Sequence, residues 1–353
     1  MTLSEVLENT APSWMDGGES PVLYTALHLS RNLAGMDFPA FGGSAVRNTI
    51  AAAAAKAVAQ WNESGEEELS RFPLAGLSDT EKEVFAEKGL IPPEGEWQKE
   101  HSQCYVSKDG HLSLYVNGQD GLCLSLYQGG SRMRKLWKEA SRIDDRLGEA
   151  LDYAFDDEFG YLTASPGLAG TGLRLTARLF LPGLAAGKAI RTLSDELERK
   201  GFILESAAPE GWESEVPLYD MTSTVSMGVS EDDLAREMEE ILADVKRGEK
   251  SLRAAWFAKR GSTLKDAIWR AMGVLKYARL LSAGEAAQYL ARVELGMEED
   301  LIPKKEAHFF QKLLMMSKPS WVRYTTHKEE ASEEEENLWR AAIIREAMEA
   351  EGL

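Results

Sequence analysis

Cysteine is nearly missing from this 353-residue chain: Cys104 and Cys123 are the two it has, and they stand at no metal-ligand spacing. That excludes a disulfide scaffold and a cysteine-type zinc site, fits a reducing compartment, and leaves no metal expected. No segment approaches the roughly 18 consecutive apolar residues of a membrane-crossing helix. The opening MTLSEVLENTAPSWMD has no basic region followed by an apolar core. The expectation is a cytoplasmic protein, neither secreted nor membrane-spanning. Positive charge is short as well, 40 Lys and Arg against 58 Asp and Glu, for a formal net charge of −18. So acidic a surface attracts neither nucleic acid nor an anionic membrane without a local basic patch, and neither is expected as a partner.

What the chain does have is concentrated in residues 161–184, YLTASPGLAGTGLRLTARLFLPGL. Leu173, Leu175, Ala177, Leu179 and Leu181 alternate with Arg174, Thr176, Arg178 and Phe180, the period of a strand with one apolar face, which turns both arginines the same way. Gly167, Gly170 and Gly172 run in the reverse of the dinucleotide spacing and lead into a strand instead of a helix, so a Rossmann reading fails. A P-loop fails too, because the spacing before Gly187-Lys188 is one residue short and Ala189 follows the lysine.

Around this stretch the periodicities predict strands at 22–33, a meander at 104–107, 111–116 and 122–127, and further strands at 202–205 and 218–227. Helices are predicted from Ser44 to about Glu63, after the Ser78–Glu81 capping box, over 132–153 and over 183–200. Beyond Ser230 the chain reads as helical, over 234–260, 264–281, 283–295 and from about Leu338, with the acidic run 329–336 as a solvated loop. The fold class is α+β, an antiparallel sheet flanked by helices, with a domain at 1–260 and a helical C-terminal domain at 261–353. Trp269, Leu275, Leu280 and Leu290 fall at core or interface spacing in that helical part, so a homo- or heterodimer is a candidate state.

Residues 159–163 (Phe-Gly-Tyr-Leu-Thr), Ser165-Pro166 and 170–174 (Gly-Thr-Gly-Leu-Arg) resemble the signature of the phosphagen (guanidino) kinase family, most closely its bacterial protein-arginine kinase branch. Further matches at 29–33, 117–120, 219–220, 227–228, 273–275 and 292–296 extend the resemblance in order along nearly the whole chain. It implies a guanidino-kinase catalytic domain of glutamine-synthetase-like fold. It also implies an ATP- and magnesium-dependent phosphotransferase in which carboxylates hold the guanidine and take its proton while arginines clamp phosphate.

Against that pattern the chain departs at most of the working positions. The two phosphate arginines of the first strand fall on Ala26 and His28, a third on Cys123 and a fourth on Ala208, and Arg174 alone matches. The guanidine-holding glutamate falls on Gln119, which cannot accept a proton, and the catalytic cysteine on Ser165, whose hydroxyl does not ionise as a thiol can. Glu213 keeps the second guanidine-side carboxylate, with Glu210 and Glu215 near it in sequence and Asp120 next to Gln119. Arg174 and Arg178 read equally as surface partners of nearby acids, and Ser165 as a small residue at a tight turn. The branch's phosphoarginine-docking Arg-Asp-x-x-Arg-Ala is Glu-Asn-Leu-Trp-Arg-Ala at 336–341, so Arg340 reads as a helix-surface residue. The resemblance with these losses implies a pseudokinase needing no cofactor. It would bind an active protein-arginine kinase relative, a Clp-type chaperone or adaptor, or an arginine-containing protein or peptide. Two alternatives stand beside it: an active guanidino phosphotransferase using ATP and magnesium through substituted residues, and an interaction protein without ligand.

Overall fold

The computed structural model describes residues 1–9, 12–15, 18, 20–65, 67–92, 100–303, 305 and 309–353. They form two compact units with interleaved segments, one from 1–14, 25–176 and 222–240, the other from 15–24, 177–221 and 241–353. In chain order the strands are β1 (Val22–Arg31), β2 (Leu69–Pro73), β3 (Gln103–Ser107), β4 (Leu112–Val116), β5 (Leu122–Gly129), β6 (Phe155–Asp156), β7 (Gly160–Tyr161), β8 (Leu173–Phe180), β9 (Phe202–Ser206) and β10 (Leu218–Ser223). The helices are α1 (Leu3–Glu8), α2 (Ser44–Glu63), α3 (Asp79–Glu87), α4 (Met133–Gly148), α5 (Pro182–Ala186), α6 (Ile190–Glu198), α7 (Glu231–Tyr277), α8 (Ala283–Glu298), α9 (Phe309–Met316), α10 (Pro319–Thr326) and α11 (Glu333–Ala350). The sheet order is β2-β3-β4-β5-β1-β8-β10-β9, while β6 and β7 pair separately. The fold is an antiparallel sheet flanked by helices with a helical C-terminal region, as the sequence predicts.

In the first unit the meander is a true antiparallel ladder, with Phe72 opposite Cys104, Cys104 opposite Tyr115 and Tyr115 opposite Cys123. The apolar stripe of α4 (Met133, Leu136, Trp137, Ala140, Ile143 and Leu147) is buried, as its period requires. The helix stops at Gly148, short of 153, where the chain folds back: Tyr153 donates its hydroxyl to the Asp144 carbonyl at 3.4 Å. β10 ends at Ser223, earlier than expected, and Ser226 instead donates to the Gly167 and Ala169 carbonyls at 2.8 Å each.

The second unit holds three corrections. The helix expected over 183–200 is two, α5 and α6, because Gly187, Lys188 and Ala189 donate back to the Gly183, Ala185 and Leu184 carbonyls and Lys188 takes a φ of 56°. At the other end of α5, the buried Glu249 carboxylate accepts from the Gly183 and Leu184 amides at 2.8 and 2.9 Å. The acidic run is not all loop: Ser332 and Glu335 form a capping box and residues 333–336 are the first turn of α11, where the helix dipole favours carboxylates. Arg340, expected on the surface, is 1 % exposed; it donates to the Ser317 carbonyl at 2.5 Å, the Leu281 carbonyl at 3.0 Å and Asn337 Oδ1 at 2.7 Å. The core here joins Phe180, Leu218, Ile268, Leu275, Leu290, Phe310 and Ile344, whereas Trp269 and Leu280 are about half exposed. α7 loses helical geometry at Arg260, with φ −132° and ψ 20°.

Candidate functional site

The glycine stretch is a packing device of the first unit. Gly170 has φ 105°, and a Cβ there would lie 2.4 Å from the Ser226 carbonyl oxygen; Gly172 has φ 65°, and a Cβ would lie 2.6 Å from that of Ser30. Both backbones come too close to their neighbours for any side chain. The same unit fixes Arg31, whose guanidinium donates to Asp144 at 2.7 Å and to the Thr171 carbonyl at 2.9 Å and lies 3.4 Å over the Tyr161 ring. Burial of that cluster raises the Asp144 carboxyl above its ordinary range, against the pull of Arg31.

Gln119 and Ser165 sit on two loops that Asp120 ties together. Asp120 Oδ1 accepts from Asn32 Nδ2 and from the Ala164 amide, each at 2.7 Å, and the residue is 8 % exposed. Asp120 is therefore a structural anchor and not an acid open to a ligand, contrary to the sequence reading. Gln119 is exposed beside it. Ser165 is half-buried at the head of a 3₁₀ turn over Pro166–Leu168, with its carbonyl accepting from Thr163 Oγ1 at 2.7 Å.

On β1 and β5 the structure joins His28 and Cys123 through a residue that the sequence reading missed. Ser125 Oγ lies 2.8 Å from His28 Nδ1 and 3.9 Å from Cys123 Sγ. Ser125 is two residues from Cys123 on the same strand, so period-two alternation was the available signal. Burial, and then the charge of Arg174, push the His28 pKa down from 6.5 to about 4, so the ring is neutral at pH 7. Ala26, two residues before His28, is 1 % exposed. Arg174 is exposed on β8. The positions matched to three phosphate arginines thus present a methyl group, a neutral imidazole and a thiol.

The second unit holds the remaining candidates. Arg178 forks onto Asp220, with Nε to Oδ1 at 2.5 Å and Nη2 to Oδ2 at 2.8 Å, and lies 5.5 Å from the Tyr24 ring centre. Burial raises the Tyr24 phenol to about 12 despite the nearby arginine. The loop bearing Ala208 and Glu213 is set by Trp212, which packs on the core and lies so close to Gly284 that a Cβ there would fall 2.0 Å from the indole nitrogen. Ala208 is half-buried against that core, while Glu213 is exposed and accepts from the Gly211 amide at 3.0 Å. Glu210 and Glu215 are exposed with it.

Known proteins share this chain's pattern over nearly its whole length. The protein-arginine kinase of Pelotomaculum thermopropionicum is 28% identical over 351 residues, 98% of this chain and 98% of its own. That of Desulforamulus reducens is 29% identical over 354 residues, covering 99% and 98%. Among solved structures, a lombricine kinase superposes with a TM-score of 0.58 at 16% identity, over 70% of this chain and 72% of its own. The substrate-free duplicated taurocyamine kinase from Schistosoma mansoni superposes with a TM-score of 0.55 at 18% identity, over 69% of this chain and 33% of its own. These two likenesses speak for the fold. Residues 261–352 match the family described as protein-arginine kinase McsB C-terminal domain, and residues 50–252 match ATP:guanido phosphotransferase, C-terminal catalytic domain. The chain belongs to the ATP:guanido phosphotransferase family, with protein-arginine kinases as its full-length relatives.

Proposed function

We propose that this protein is a protein-arginine-kinase-like pseudokinase that has lost phosphoryl transfer and acts by binding arginine-containing proteins or an active relative, within arginine phosphorylation and Clp-protease quality control. The observation that carries the reading is His28: its pKa of about 4 leaves it neutral where a nucleotide clamp needs a permanent cation. Ala26 and Cys123 supply no charge beside it, and Arg178 is engaged bidentately with Asp220. Losing one partner from a desolvated charge cluster costs about 2–5 kcal/mol, so the joint loss of several removes ordinary nucleotide affinity even without strict additivity. Gln119 and Ser165 remove the proton acceptor and the ionisable thiol on the guanidine side.

The direct test incubates the purified protein with Mg-ATP and arginine or arginine-rich proteins. No acid-labile phosphoarginine above the no-enzyme control is the expected result. Product that appears and then vanishes on Arg174→Ala overturns the proposal and establishes the active-enzyme alternative. The binding half is tested by pull-down with an active protein-arginine kinase and with Clp components, where recovery of neither removes that part of the reading.

A further inference from the structure

We propose that Glu67, Asp109 and His111 form a binding site for one divalent transition-metal ion of borderline softness, Zn²⁺ being the best fit, with Glu139 as the positioning residue. The inference is independent of the pseudokinase reading and concerns none of the residues matched to nucleotide or guanidine. One ligand atom from each of the three residues lies within 4.8 Å of the others. His111 Nδ1 is 2.6 Å from Asp109 Oδ1 and 3.6 Å from Glu67 Oε1. A tetrahedral zinc with bonds of about 2.0–2.2 Å sets its ligand atoms roughly 3.3–3.5 Å apart, so the observed pairs bracket the required spacing. The short His111–Asp109 pair must open by about 0.7–0.9 Å to reach it, a movement within the reach of side-chain rotation.

The second observation lies on the far side of the ring. His111 Nε2 is 3.1 Å from Glu139 Oε1 on α4. Without an ion, burial works against the charged ring, but the hydrogen bonds to Asp109 and Glu139 push the His111 pKa up to about 10, so Nδ1–H donates to Asp109. A metal ion would displace that proton while Glu139 keeps the one on Nε2, the carboxylate–histidine–metal arrangement that fixes tautomer and ring angle in metal sites. The ligands also come from pinned backbone. Asp109 Oδ1 accepts from Ser107 Oγ at 2.9 Å and from the His111 amide at 3.3 Å, and Ser107 Oγ accepts from the Leu112 amide at 3.1 Å. Trp61 Nε1 donates to the Glu67 carbonyl at 2.7 Å. His111 and Glu67 are half-buried and the Asp109 side chain is 44 % exposed, which leaves a coordination position for water. One imidazole and two carboxylates suit Zn²⁺, Co²⁺ or Mn²⁺ better than Mg²⁺ or Ca²⁺, which prefer all-oxygen shells. A bound ion would tie the segment entering β2 to the β3–β4 turn. Contrary to the expectation of no metal, these ligands share no cysteine-type spacing along the chain and meet when β2 pairs with β3.

The full-length protein, stripped with a chelator, is titrated with Zn²⁺ by calorimetry and with Co²⁺ by visible absorption. The expected result is one ion per chain with micromolar or tighter affinity and cobalt d–d bands. Both signals should vanish in His111→Ala and in the isosteric Asp109→Asn, whose folding is checked by circular dichroism. Glu139→Gln should keep the stoichiometry and weaken binding about ten- to a hundredfold. A cluster that is only an ion-pair network gives no saturable heat and no cobalt bands up to about 100 μM, and that result overturns the proposal. Binding that survives both His111→Ala and Asp109→Asn overturns it equally, and unchanged affinity in Glu139→Gln overturns the positioning role.

Discussion

A partly buried, neutral histidine leaves a mark on stability as well as on charge. For His28 the folded-state pKa, about 4, lies below the ordinary 6.5, with burial the larger cause and Arg174 the smaller. Above pH 6.5 the ring is neutral in both states. Between 6.5 and 4 the unfolded chain takes up a proton that the folded chain refuses, so stability falls as pH falls through that window. The ring is partly exposed, so the loss reached by pH 4 is about 1–3 kcal/mol. Denaturant unfolding of wild type and His28→Asn at several pH values between 7 and 4 reads the difference in slope. The variant should lose less on acidification, whatever constant offset follows from its lost contact with the Tyr127 ring, 5.9 Å away. Parallel profiles would sink this assignment. At the same scale Arg178 takes one of the two roles its sequence leaves open, that of partner to a nearby acid. Alternation places it beside Arg174, but only the paired neighbour β10 brings Asp220 to it, and no pattern along one strand contains that partner.

At the scale of elements, α11 shows how one side chain fastens several helix ends. Arg340 reaches the Ser317 carbonyl, just past α9, and the Leu281 carbonyl, just before α8, while Glu336 lies 3.6 Å from its guanidinium. Burial lowers the arginine's pKa, with Glu336 opposing. Arg340→Met keeps the apolar stem but orphans two buried carbonyls and a partly buried carboxylate, at a cost of about 3 kcal/mol. Urea midpoints with an unchanged slope measure it, and a loss below about 1 kcal/mol would show that water replaces the guanidinium. Elements with a long period or a marked cap were legible in the sequence: α2, the amphipathic α4, the Ser78 box of α3, and the meander. Those missed have physical reasons. β2 carries Ser70, Arg71 and Pro73 among two buried apolar residues, too few to show alternation. α9 and α10 are short helices buried by neighbours, and α11 begins in glutamates whose mutual repulsion is offset by the helix N-terminus.

Over the whole molecule, the candidate residues were legible through the family resemblance, but their states were not. That His28 is neutral, that Asp120 is an anchor and that Arg178 is paired all depend on contacts between strands and loops far apart in sequence. Those states set the expected ligand. In the first unit Arg174 remains as an exposed cation, whereas in the second Glu210, Glu213 and Glu215 are exposed on one loop, on a chain whose net charge is −18. A field of that sign attracts a guanidinium and repels a nucleotide triphosphate. Calorimetry at low ionic strength should give heat with an arginine-containing peptide and none with Mg-ATP. The peptide signal should weaken as salt rises from about 0.01 to 0.15 M, where the screening length falls from roughly 30 to 8 Å. Glu213→Gln should weaken peptide binding without altering the response to ATP, because its carboxylate has the peptide as its proposed partner and, among the described residues, accepts from the Gly211 amide within its own turn. Micromolar binding of Mg-ATP, with arginine peptides silent, would mean that the nucleotide site outlives its missing arginines and that the charge argument fails.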